Sequence, residues 1–242
     1  MPESEEMAAG GTIQRAEHLA QPAAGRRIQL LIEIGVFFLV APILITYAVY
    51  GLRLPLFLVL QPVLLAFIVY LLWDGTFLLR RELARGFPIG ELFSMLAMFL
   101  IVGGALTAFV AQEMPRSFLS FPRYRTGVWA TVMILYPVLS VVAQELVYRT
   151  FFFHRYGPLF GRHRWLAIIV NGALFGFAHI IFYNPVALAG TFVAGCLFAY
   201  RYERTRSFWA VWLEHTLYGC LIFTIGLGGF FFTGIANPGW RW

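Results

Sequence analysis

Apolar runs alternate along the chain with short clusters of Arg, Pro, Gly and Asn. The runs fall at about 28 to 51, 54 to 79, 88 to 112, 127 to 156, 165 to 182, 185 to 201 and 207 to 234. A helix needs about 20 mostly apolar residues to cross a bilayer. The pattern therefore predicts an all-α polytopic transmembrane helical bundle of about seven helices, one domain over 28–242. Gly226, Gly228 and Gly229 predict that the last run ends in a re-entrant or interfacial piece. Residues 1–27 are rich in Ala, Gly, Glu and Gln. They lack the basic start and short apolar core of a cleavable signal, and so predict a flexible cytoplasmic tail ahead of a retained first helix. No repeat, soluble domain or low-complexity tract interrupts the pattern.

Composition strengthens this picture. The chain is 60% hydrophobic and 12% charged, against about a quarter charged in ordinary soluble domains, so lipid is its expected solvent. All 18 basic residues are Arg, and they sit at the ends of runs rather than in a stripe. Nothing in that distribution points to nucleic acid. Cys196 and Cys220 both lie in apolar runs, without a disulfide framework or a CxxC metal pattern. With the N-terminus inside, thirteen arginines fall in cytoplasmic segments and five outside, which predicts a cytoplasmic N-terminus. The short termini and the lack of a sorting signal favour a bacterial inner membrane.

Three ionisable residues interrupt the apolar runs: Glu145, His179 and His215. By the helical rise they lie roughly 18, 21 and 12 Å from the cytoplasmic ends of their segments, so all three are able to meet in one layer. Charge at membrane depth is costly and asks for a partner or a purpose. A carboxylate and two imidazoles suit acid–base work on water, and equally suit zinc with an open fourth position. Arg149, four residues after Glu145, can hold that carboxylate ionised, or the pair merely lowers the cost of burying two charges. A lone intramembrane His is also often only an interhelical hydrogen bond. A bis-histidine haem site on His179 and His215 and a proton-relaying transporter stay open as rivals, the latter without a duplicated half.

Glu33 and Glu91 lie near helix starts, where interfacial solvation or the helix dipole accounts for them. Asn184-Pro185 reads as an N-cap and first helical residue. His154 and His163 fall in a basic turn and are expected to be solvated. Tyr148 and Tyr218 are possible hydrogen-bond donors to the site.

The contexts of these residues resemble the CAAX protease and bacteriocin-processing family, also called the abortive-infection family, of intramembrane proteases related to the CAAX prenyl endopeptidase. Its motifs are Glu-Glu-x-x-x-Arg, Phe-x-x-x-His and His-x-x-x-Asn or Asp, in that order. Glu145 and Arg149 match the first, Phe175 and His179 the second, and His215 the third, over about residues 127 to 225. Gln144 stands in place of the first Glu, and Gly219 in place of the Asn or Asp.

The resemblance implies an endopeptidase that hydrolyses a peptide bond of a membrane-anchored protein or peptide with a Glu-activated water. Glu145 would be the base, helped by His179, while His215 polarises the scissile carbonyl, Arg149 orients the carboxylate and Gln144 positions water or substrate. The family includes proteins described as zinc-dependent and as metal-free glutamic proteases. The metal-free form is expected here, with zinc on His179, His215 and Glu145 as the alternative. An amide does not accept a proton at neutral pH, so Gln144 also leaves open a membrane scaffold that keeps the architecture without the reaction.

Overall fold

The structure is a computed structural model and describes residues 22–73, 77 and 79–231. Its described residues are helical, without strands. Among the described residues nine helices follow in chain order: α1 (Ala24–Tyr50), α2 (Leu56–Trp73), α3 (Leu79–Ala84), α4 (Ile89–Glu113), α5 (Ser120–Tyr124), α6 (Thr126–Phe160), α7 (Arg164–Ala178), α8 (Pro185–Thr205) and α9 (Phe208–Ile225). Each apolar run contains helix among its described residues, but only five helical stretches among them are long and apolar enough to cross a membrane. These are α1, α4, α6, α9 and α7 with its extension to Phe182. The expected count of seven is not confirmed among the described residues. α8 carries Arg201, Glu203 and Arg204 in its last turns, and α2 counts only as a shorter apolar helix. Helix α1 already begins at Ala24, inside the segment expected to be a tail, and residues 1–21 lie outside the described ones.

The molecule is apolar outside and polar within. Leu58, Leu65, Phe93, Leu100 and Ile101 are exposed, while Glu145, Arg149, Asn171, Arg201, Glu214 and His215 are buried. That inversion suits a lipid solvent, in which exposed hydrocarbon costs nothing and backbone groups must be satisfied within each helix. The chain is an integral membrane protein.

Local sequence explains several boundaries. The Asn184 side chain accepts the Ala187 N–H at 2.7 Å, with Pro185 first in α8, as the Asn-Pro pair predicts. Ser207 caps α9 in the same way through Ala210 N–H. Gly226 closes α9 at φ 105°, a left-handed conformation that glycine adopts without strain. The chain then makes a short 3₁₀ turn over Gly228–Phe231, and the Asn184 amide donates to Phe230 O at 2.6 Å.

Helices α7 and α8 lie close because glycines line their contact. A Cβ on Gly195 would meet Gly172 Cα at 3.0 Å, and one on Gly172 would collide with Cys196. Gly172 and Gly176 form a small-xxx-small pair, which lets backbones approach in a bilayer. An aromatic core of Phe38, Tyr70, Phe151, Phe152 and Tyr156 joins α1, α2 and α6, with rings packed mostly edge to face.

Helix α6 departs from α geometry twice, in π-helical stretches at Tyr136–Val141 and Leu146–Phe151. The first contains Pro137, which has no N–H for the helical ladder. Trp212 Nε1–H on α9 donates to Pro137 O at 2.9 Å and fastens this stretch. Between the two lies Val142–Glu145, the segment with the first motif.

Candidate functional site

The site forms where α6, α7, α8 and α9 face one another. His215 Nδ1–H donates to Glu145 Oε1 at 2.7 Å, across 70 residues of sequence. A carboxylate only accepts, so this contact puts a proton on Nδ1, and in that tautomer Nε2 is the ring's acceptor. His215 Nε2 then accepts from the Tyr136 hydroxyl at 3.0 Å. Both ring nitrogens of His215 are thereby engaged within the chain.

Arg149 Nε lies 3.5 Å from Glu145 Oε2, with both side chains fully buried. Its guanidinium sits over the Phe175 ring at 4.5 Å and near Phe198 at 5.7 Å, where ring faces attract a cation. The guanidinium nitrogens make no hydrogen bond to a described residue. The ion pair and the aromatic faces are what hold this charge.

His179 opens the 3₁₀ turn that ends α7, and its Nδ1–H donates to Phe175 O at 2.7 Å. Because a carbonyl only accepts, Nε2 carries the lone pair and makes no hydrogen bond to a described residue. His179 is partly exposed and close enough to interact electrostatically with His215 and Arg149. The Phe175 ring links the three, with its centroid 4.7 Å from His179 and 5.7 Å from His215. Phe198 stacks on His215 at 4.6 Å.

Gln144 is partly buried. Its amide donates to Ser140 Oγ at 2.8 Å, and its carbonyl oxygen has no partner among the described residues. The structure thus joins Glu145, Arg149 and His215 directly, reaches His179 through Phe175, and sets Gln144 on the next position of α6. Nine residues separate Tyr136 from Glu145, roughly two and a half turns of a regular α-helix, which would set them on opposite faces. The wider turn of the π stretch between them takes up part of that rotation, and both reach His215.

Several expectations change. Glu145 has no exposed surface, and its Oε1 is taken by His215 Nδ1. A metal ion on His215 Nε2 would have to displace the Tyr136 hydroxyl, since Nδ1 is held by Glu145. Among the described residues, no group of three or more His, Cys, Asp and Glu side chains is placed to hold a metal ion. The Tyr218 hydroxyl makes no hydrogen bond to a described residue, and the Tyr148 ring packs against Phe38 and Phe175. Glu33 and Glu91 are not simply solvated. Glu33 is held at both oxygens by Arg155 at 2.8 Å, and Glu91 by Arg201 and Arg204 at 2.8 and 2.7 Å. His163 is exposed, whereas His154 packs edge-on against Phe77. It lines a cavity of about 500 Å³ with Arg85, Arg162 and Arg206, which none of the motif residues lines.

Sequence reading missed Tyr136 and the buried triad in which Arg201 bridges Glu91 and Glu214. Gly219 was the available signal for Tyr136, since a missing side chain in a packed site implies that another fills the space.

Residues 126–221 match a protein-family model described as Rce1-like: Type II CAAX prenyl endopeptidase Rce1-like. The matched stretch runs from α6 into α9 and contains every motif residue, so the family match agrees with the resemblance of the motifs. That family is a family of proteases. No curated protein and no solved structure matches the chain.

Proposed function

We propose that this protein is a CAAX-type intramembrane peptidase that cleaves a membrane-anchored protein or peptide without a metal ion, with His179 as the group that takes the proton from water. The observation that carries this reading is the division of labour between the histidines. His215 has both nitrogens engaged, whereas His179 keeps Nε2 unpaired and is partly exposed. A general base needs such a lone pair.

Water held by the Gln144 carbonyl oxygen gives a proton to His179 Nε2 while its oxygen bonds to the scissile carbonyl carbon. His179 then passes that proton to the amide nitrogen as the C–N bond breaks, and a carboxylic acid and an amine leave. Glu145 fixes the tautomer of His215, as the buried carboxylate of a hydrolase triad does for its histidine. Arg149 keeps the Glu145 carboxylate charged. The arginine asymmetry supports a cytoplasmic N-terminus.

The test is cleavage of a panel of prenylated and membrane-anchored peptides by the purified protein in lipid, beside His179→Ala. Cleavage by the native chain that is lost in His179→Ala and survives metal chelation is expected. Stoichiometric zinc that is lost with His179 would overturn the metal-free part.

A second reading has an observation in its favour. Gln144 carries an amide where the family has its first carboxylate, and Glu145 is sealed from water, which suits a protein that binds membrane peptides without cutting them. Saturable peptide binding with no product from the native chain would select it.

A further inference from the structure

Position 219 sits beside His215 on α9, one turn on, and Gly219 leaves it without a side chain. The space is filled from another helix. A Cβ built on Gly219 would collide with the ring and hydroxyl of Tyr136, and that hydroxyl makes the 3.0 Å contact with His215 Nε2. The Tyr136 ring also packs against Phe223 at 5.3 Å, so its position is determined on two sides. Tyr136 and a side chain at 219 exclude each other.

We propose that Tyr136 is the hydrogen-bond donor to the scissile carbonyl oxygen, placed in the space that Gly219 leaves, at the end of a relay from Glu145 through His215. This rests on the peptidase reading and names a residue for it. In the resting site the phenol O–H points to Nε2. As negative charge grows on the carbonyl oxygen, the same O–H turns to it, and no covalent bond to Tyr136 forms or breaks. A donor aimed where charge develops is worth most in the transition state. Tyr136 is partly exposed, in contrast to Glu145.

The experiment moves the donor from one helix to the other. Tyr136→Phe keeps the ring and removes the hydroxyl. Its kcat is expected to fall about 100-fold with KM little changed. Gly219→Asn alone is expected to unfold more readily, because the amide meets the Tyr136 ring. Tyr136→Ala with Gly219→Asn should recover at least about tenfold of the activity lost in Tyr136→Ala.

Independently of turnover, ¹⁵N spectra of histidine-labelled protein in detergent should show the His215 Nε2 signal move in Tyr136→Phe. Native kcat in Tyr136→Phe, or an equal effect of Gly219→Asn with Tyr136 present and absent, overturns the proposal. An unmoved Nε2 signal does the same. If the native protein cuts no peptide in the panel, the peptidase reading falls and with it the role of donor. A moved Nε2 signal would then assign Tyr136 to holding His215 alone.

Discussion

Glu145 and His215 face each other across two helices, with Oε1 2.7 Å from Nδ1, and every other motif contact is arranged around that bond. Arg149 balances the carboxylate from the far side at 3.5 Å, and Tyr136 caps the other edge of the imidazole. A carboxylate with no exposed surface does not meet water directly. In the proposed reaction its effect passes through the ring it orients.

Glu145→Gln should therefore damage both stability and rate. The amide leaves Arg149 as an uncompensated buried charge, and breaking such a pair costs about 3–5 kcal/mol. It also ceases to fix the His215 tautomer, for which a loss of about 10⁴-fold in kcat is the relevant scale. Unfolding in detergent and peptide turnover measure the two effects separately. A folded Glu145→Gln variant with native turnover would remove Glu145 from the mechanism.

Gln144→Glu restores a carboxylate at the family's first position. The side chain lies beside Ser140 and its oxygen end is buried and unpaired, so a carboxylate there has no protein partner to compete with a water that enters with the substrate. Turnover should rise, on the scale of about 10²-fold that a positioned base supplies. An unchanged rate would mean that His179 already suffices or that no reaction occurs. His179→Ala in the same background separates these two.

Arg201→Ala tests the triad away from the reacting groups. Arg201 holds Glu214, which is fully buried, at 3.0 and 3.1 Å, and Glu91 at 2.8 Å. Removing it leaves Glu214 buried without its partner and should cost about 3–5 kcal/mol of stability. Glu91→Ala should cost less, because Arg201 keeps Glu214. Thermal unfolding of the two variants in one detergent gives the order, and the reverse order would show that the Glu214 pair is not the anchor.

Gly172→Ala probes the contact of α7 and α8. Its Cβ would meet Cys196 N at 2.9 Å as well as the Cys196 thiol, and backbone does not yield as a flexible side chain does. The helices must separate, at a cost of about 1–3 kcal/mol. Because the movement displaces Phe175, which touches both histidines, turnover should fall with stability. Gly190→Ala, open on all sides, is the control and should change neither.

Much of this protein was legible before any coordinates. Apolar runs marked where the long helices lie, though not how many cross the membrane, since a chain in lipid satisfies its backbone within each helix. Asn184-Pro185 and Gly226 marked boundaries by local chemistry alone. Glu145, Arg149, His179 and His215 stood out because ionisable groups are rare in such runs, and their motif order pointed to the family that residues 126–221 match.

Contacts between helices were another matter. Spacing along α6 at 100° per residue gives no hint that Tyr136 and Glu145 reach the same imidazole, because the intervening π stretch changes the rotation. Nor does a glycine at 219 say which residue fills its space. Burial of Glu145, the pairing of Glu33 with Arg155 and the Arg201 triad depend on which helices lie side by side. Single-helix periodicity determines the face a residue occupies, and only tertiary packing decides what that face meets.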